Sequence, residues 1–186
     1  MRDLRKTISY GLLLMLGGLC VWLYWPGNRA VAAIERLGGR VQLMTLPGVE
    51  GRNAIDLPDT LSDDDLENLR ALDKLDPVCL QLQGKKITGR GLTSVTRLRG
   101  LHMLTLHGTS ITDDDLQTLQ MFPELATLNL DGNKITPRGL EYLKKLPALR
   151  CVSLRGTKLP PEAVLRFQAE RENVLVLSEI TDKEDD

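Results

Sequence analysis

Aromatic residues make up 4% of this 186-residue chain, and both tryptophans, Trp22 and Trp25, fall within the first 26 positions. The remainder therefore lacks the large rings that commonly anchor compact cores and tight interfaces. Cysteine is as sparse. Cys20, Cys79 and Cys151 show neither CxxC nor metal-ligand spacing, which excludes a disulfide scaffold and a zinc site. A formal net charge of −1 gives no general attraction to nucleic acid. Long hydrophobic runs are missing too, with one exception at the N-terminus.

That exception is residues 8–25, which carry no charge and follow Arg2, Arg5 and Lys6. At ~1.5 Å per residue the run spans roughly 27 Å, close to a bilayer core of ~30 Å. Trp22, Tyr24 and Trp25 gather at its far end, where amphipathic rings favour the headgroup level, and Pro26-Gly27 follow as a helix stop. The expectation is a transmembrane signal-anchor helix over 8–26 behind a basic stub at 1–7. The basic end would be cytoplasmic and the rest of the chain periplasmic or otherwise extracytoplasmic. The rivals are a buried core helix, a lipoprotein signal at Cys20, and a cleaved signal peptide with Ala30-Val31-Ala32 as its A-x-A site. The last would leave a secreted protein.

From Pro77 onward the chain repeats itself with a period of 24. The units "PVCLQLQGKKITGRGLTSVTRLRG" (77–100), "LHMLTLHGTSITDDDLQTLQMFPE" (101–124), "LATLNLDGNKITPRGLEYLKKLPA" (125–148) and "LRCVSLRGTKLPPEAVLRFQAERE" (149–172) align without gaps. Apolar residues hold positions 4, 6, 11 and 16, and glycine holds position 8 throughout. The first part of each unit alternates with period two, as a half-buried strand does. The second part places apolar residues at positions 16, 19 and 22, as on one face of a helix. The shared glycine suits a tight turn of positive φ. An irregular earlier unit holds Ile55, Leu57 and "LSDDDL" (61–66), rejoining the register after a small insertion near Asp73-Lys74. "NVLVL" (173–177) reads as a last strand with Leu175 and Leu177 inward.

These units resemble the leucine-rich repeat, in the LxxLxLxxTxIT-DxGL form of bacterial envelope proteins. The resemblance covers roughly 53–177 and implies an α/β solenoid, with short parallel strands on one face and helices on the other. Residues 27–52 then serve as linker and N-terminal cap, helix plus strand, and 178–186 as a charged tail. A single repeat buries too little to offset the ordering of its backbone, so such units must stack.

The acidic triplets Asp63-Asp64-Asp65 and Asp113-Asp114-Asp115 follow Ser62 and Thr112. Oxygen-rich clusters suit hard cations. At these positions, however, they fall in the first turn of a helix, whose dipole favours acids, with Thr88, Thr112 and Thr136 as N-caps. The expectation is helix starts, with no metal and no cofactor.

His107 and Asp131 share position 7 one repeat apart, a pairing that would orient a general base, but no nucleophile joins them. A polar ladder Gln83–His107–Asp131–Arg155 on an open sheet is the simpler reading. Cys79 and Cys151 share position 3 three strand spacings apart, ~14–15 Å, too far for a disulfide. Lys86, Lys134 and Lys158 share position 10 and, with Lys85, Lys144, Lys145, Arg97 and Arg99, read as a solvated helical face. The expected function is a membrane-anchored, non-enzymatic module for protein–protein interaction in the cell envelope, or else a structural scaffold without a dedicated ligand. A protein partner would dock across Gln81, Gln83, Thr105, His107, Asn129, Asp131, Ser153 and Arg155, which alternate with buried leucines. No nucleic acid is expected, and contact with the membrane would run through residues 8–25.

Overall fold

A computed structural model describes residues 13–16, 19–22, 26–44 and 52–179 of the chain. The expected stub at 1–7 and residues 180–186 of the expected tail lie outside them.

The anchor helix expected over 8–26 is not what forms. Leu13–Leu16 (β1) and Leu19–Trp22 (β2) are strands, paired antiparallel with Leu13 opposite Trp22 and Leu16 opposite Leu19. Among the described residues no helix is long and apolar enough to cross a membrane. The sequence between the strands, Gly17-Gly18, gives a physical reason. Each glycine in a helix interior costs about 1 kcal/mol against alanine, and a pair of them divides the run. The single-pass topology, with its cytoplasmic N-terminus and extracytoplasmic repeats, loses its support with the helix. Pro26 does not stop a helix either; it starts one, Pro26–Arg36 (α1), at the position where a missing N–H costs nothing. The A-x-A tripeptide lies within α1, where Ala30, Val31 and Ile34 are buried. Cleavage after Ala32 would cut through a packed helix.

After Gly38, at φ 82°, the chain enters Arg40–Leu43 (β3), which opens a seven-stranded sheet. The other strands are Asn53–Asp56 (β4), Pro77–Gln83 (β5), Met103–His107 (β6), Thr127–Asn129 (β7), Cys151–Ser153 (β8) and Leu175–Leu177 (β9), in chain order across the sheet. β3 is antiparallel to β4 and every later pair is parallel. From β5 onward each residue faces the one 24 positions on: Leu80 opposite Leu104, Leu104 opposite Leu128, Leu128 opposite Val152, Val152 opposite Val176. This is an α/β fold that resembles a leucine-rich-repeat protein.

The behaviour of the irregular first unit follows from its register. Asn53 faces Pro77 but Ala54 faces Cys79, so Val78 is the extra residue of a bulge. Asp76, just before it, takes a left-handed conformation at φ 42°. The insertion expected near Asp73-Lys74 is therefore absorbed slightly later, at Asp76–Val78. Helical segments run behind the sheet: Asp63–Asn68 (α2), a 3-10 segment Arg70–Leu75, Gly89–Ser94 (α3), a 3-10 segment Asp114–Met121, Pro137–Leu143 (α4) and Pro161–Glu170 (α5).

One continuous core fills the space between, from Ala30 to Val176. Its rows are Leu82, Leu106, Leu130 and Leu154, in or just past the strands, and Leu92, Leu116, Leu140 and Val164 from the helical side, all at most 3% exposed. A second polar layer closes the strand exits. Asn133 is buried and donates to the Leu106 and Leu130 carbonyls at 2.6 and 2.9 Å, while its own oxygen accepts from the Thr109 hydroxyl at 2.8 Å. The last strand corrects one sequence reading. Val174 and Val176 are the inward residues of "NVLVL", and Leu175 is 58% exposed. Strand register places Leu175 beside Cys151 and Leu177 beside Ser153, both on the outer face.

Candidate partner-binding surface

The eight polar residues singled out in the sequence come from alternate positions on four adjacent strands and the turns just after them. Gln81 faces Thr105, Gln83 faces His107, Thr105 faces Asn129 and Asn129 faces Ser153. Beyond the strand ends the row is continued by the backbone: the Gly84 amide donates to the His107 carbonyl, Gly108 to Asp131, and Gly132 to Arg155. The glycines at these exits all have positive φ, from 60° at Gly108 to 96° at Gly84. At Gly84 a Cβ would also run into the Asp59 carbonyl.

The eight are not equally available. Gln81, His107 and Arg155 are exposed, while Gln83, Thr105, Asn129 and Asp131 are half-buried. Ser153 is 6% exposed and gives its hydroxyl to Asp131 at 2.6 Å. Asp131 is a junction in its own right. Its carboxylate also accepts from the Arg155 amide at 2.8 Å and the Asn129 side chain at 3.1 Å, and Asn129 in turn accepts from the Asp131 amide. Among the described residues no ion pair joins it to His107. Asp131 stitches two strand exits together, and its substitution would disturb the sheet as well as the surface.

A third row on the same face, of which the sequence reading aligned Cys79 and Cys151 without counting them as partner-binding, comprises Cys79, Met103, Thr127, Cys151 and Leu175. It is partly apolar and ends in the exposed Leu175. The 24-residue register extended by one unit was the signal that could have found it. Cys79 and Cys151 are free, three strand steps apart, and burial pushes both thiols up, with Asp56 adding to the effect at Cys79. A raised thiol pKa leaves little of the nucleophilic thiolate.

The aspartate triplets do more than start helices. Asp65 accepts from the Ser62 amide and hydroxyl at 2.9 and 2.8 Å, a capping box that holds its carboxyl below the usual carboxylate range; nearby Lys86 lowers it further. Asp115 likewise accepts from the Thr112 amide and hydroxyl at 2.8 and 2.7 Å, although the 3-10 segment there has Asp113 and not Thr112 as its N-cap. Asp63 and Asp113 instead reach into the next unit. Asp63 accepts from the Thr88 amide and hydroxyl, and Asp113 from those of Thr136. Thr88 and Thr136 still cap their own helices through Arg90 and Arg138. The middle acids pair across units as well, Asp64 with Arg90 and Asp114 with Arg138 at 2.6 Å. Both ends of the second pair are about two-thirds exposed, so Asp114→Asn should leave the thermal melt unchanged within error. A clear drop in melting temperature would show the pair to be structural.

The tie joins alternate pairs of units only, and between the last two it has neither end: Pro137 stands where Asp113 stands one repeat earlier. Pro160 stands where Thr136 stands one repeat earlier, with neither N–H nor hydroxyl to offer. A cleft of about 260 Å³ opens there between α4 and α5, with Leu140, Ala163 and Phe167 among its lining. Beside it, Lys144 is held by Glu141 and Glu170, which raise its pKa. Lys144 is thus committed within the helical layer. Arg97 is too, through the Leu69 and Ser94 carbonyls. Lys85, Lys86, Lys134 and Lys158 are not on helices at all but in the loops after the strands, which corrects the helical-face reading.

No protein-family model matches the chain, and no curated protein matches it. Among solved structures it is similar to an internalin from Listeria monocytogenes at 13% identity and a TM-score of 0.37, over 62% of this chain and 43% of that one. The chain spans less than half the length of that protein. So faint a likeness carries no argument, and the fold rests on the chain's own strand order and register.

Proposed function

We propose that the chain is a non-enzymatic protein-interaction module, built of 24-residue leucine-rich repeats over 53–177, whose outer strand face takes the partner. The observation behind this reading is the row structure of that face. Residues from successive strands are held in register by the sheet, so side chains far apart in sequence form straight rows at a fixed spacing of ~4.8 Å. Gln81, Gln83, Thr105, His107, Asn129, Asp131, Ser153 and Arg155 supply the polar rows, with Gln81, His107 and Arg155 the most open. The Cys79–Leu175 row supplies apolar area, which a purely polar surface would lack. A rigid face of this kind binds without first having to be ordered.

The test couples the full chain to a resin and compares what it captures from an extract of its source cells. Gln81→Ala with His107→Ala and Arg155→Ala should remove the captured protein, because these three are the exposed members of the rows. Gln117→Ala with Gln120→Ala and Lys145→Ala, on the helical side, should not. The reverse pattern would move the working surface to the helices and end the strand-face reading.

A further inference from the structure

We propose that the edge of the sheet where the parallel strands exit, lined by Lys85, Lys86, Lys134 and Lys158, receives an acidic, extended segment of the protein partner. This rests on the protein-interaction reading and adds the partner's chemistry to it.

The first observation is an imbalance of compensation. Acids and bases are nearly equal in number along the whole chain, but they are not spent alike. All six residues of the aspartate triplets have a partner within the fold: a capping hydroxyl and amide, the threonine of the next unit, or an arginine. The four lysines are exposed, and none has an ion-pair partner among the described residues, although Lys86 acts on Asp65 through space. Three of them, Lys86, Lys134 and Lys158, share the same place in three of four consecutive units, where parallel strands stand ~4.8 Å apart. Lys134 and Lys158 are therefore neighbours, and Lys86 follows about two strand spacings away, across Ser110.

The second observation is independent. Lys158 has φ 61°, one of two non-glycine residues with positive φ among those described. A long side chain in that region is uncommon and costs energy that glycine or asparagine would avoid. Lys86 and Lys134 take ordinary conformations at the same point of their units. The strained backbone at Lys158 keeps a cation in the row where a cheaper residue would serve the turn better, and strain of this kind collects at sites of function.

An extended acidic peptide suits the row. Its same-face side chains recur every ~6.6–6.8 Å, within the slack of four-carbon lysine stems. A nucleic-acid backbone or an anionic bilayer suits it less. Either would bring dense negative charge against the exposed Asp64 and Asp114, which stand in the first turns of the helical segments of the units preceding Lys86 and Lys134. The chain's net charge of −1 gives no compensating attraction.

The experiment uses the full chain, a fluorescein-labelled oligoglutamate peptide as probe, and anisotropy at low salt. The wild type should bind, and binding should fade as salt rises. Lys86→Glu with Lys134→Glu and Lys158→Glu should weaken it roughly tenfold or more, three exposed pairs being lost and reversed. Lys74→Glu with Lys145→Glu and Arg150→Glu makes the same change in net charge elsewhere and should weaken it far less. Lys158→Gly should weaken binding while raising the melting temperature, which an unfolded variant cannot do. Equal losses in the two triple variants, or no binding by the wild type, overturn the proposal. So does equal or tighter binding of a single-stranded oligonucleotide or phosphatidylserine vesicles. Gln81→Ala with His107→Ala should spare peptide binding. Peptide binding that survives while those changes leave capture intact overturns the strand-face reading and upholds this one.

Discussion

Leu130→Asp should abolish cooperative folding of the repeat array. Leu130 is fully buried in the strand row between Leu106 and Leu154, and its amide donates to the Ser153 carbonyl at 2.9 Å. A carboxylate placed there would lie among leucines with no cation to meet it. Keeping it charged costs several kcal/mol, and keeping it protonated still leaves a buried polar group without a partner. The packing of the leucine is lost as well, worth about 2–5 kcal/mol by analogy with leucine-to-alanine changes. Together these rival the ~5–15 kcal/mol by which a domain is stable at all. Position in the array makes the damage worse. Each unit is supported chiefly by its two neighbours, so disrupting a middle unit separates the array into halves that each lack a cover. Far-UV circular dichroism and a thermal melt of the full chain would check this, with Leu130→Ala as the milder companion that should fold with a lowered melting temperature. A cooperative melt near the wild-type temperature for Leu130→Asp would mean that the row is not the core.

The repeat rows were legible in the sequence because they depend on one unit at a time. Strand alternation and helical spacing are periodicities within a unit, and each needs only the position of its own leucines. The positive-φ glycine is similarly local: Gly108 and Gly132 can be read from the turn they make. What the sequence did not disclose involves two units at once. Nothing within "ITDDDL" says that Asp113 will bind Thr136 rather than a proton, a cation or its own helix. The same holds for Asp131, read as a surface residue but used to join Asn129, Ser153 and Arg155 across strand exits. The inward–outward assignment at Leu175 failed for another reason. The four apolar residues 174–177 satisfy either phase of a period-two pattern, and only counting on from Val152 to Val176 resolves it. The N-terminal run failed for the converse reason. Hydropathy over 8–25 reports apolar content and not conformation, and Gly17-Gly18 outweighed length.

Gly139→Ala should destabilise the protein by about 1–3 kcal/mol, although alanine is the better helix former by about 1 kcal/mol. Gly139 lies in the first turn of α4 and is buried with ordinary negative φ, so nothing in its backbone calls for glycine. The requirement comes from the preceding unit. A Cβ at this position would meet the Asp113 carboxylate, with the Ile135 side chain at 2.6 Å and Leu116 at 3.0 Å. Asp113 is there because it accepts from the Thr136 amide and hydroxyl, so the acid and the glycine are two halves of one joint. The same joint occurs between Asp63 and Gly91, and Asp115 covers Gly89 from the other side. That pattern explains why units with three aspartates alternate with units reading Gly-Arg-Gly or Pro-Arg-Gly. A double-mutant cycle separates this account from simple crowding by the core. Asp113→Ala alone should cost about 1 kcal/mol for its two hydrogen bonds. Gly139→Ala should cost less in that background than in the wild type, since one of its three obstacles has gone, with a coupling of about 0.5–3 kcal/mol. Chemical denaturation of the four proteins gives the numbers directly. A Gly139→Ala protein more stable than wild type, or the same cost with and without Asp113, would show that the acid and the glycine do not belong to one joint, and the alternation of the triplets would need another cause.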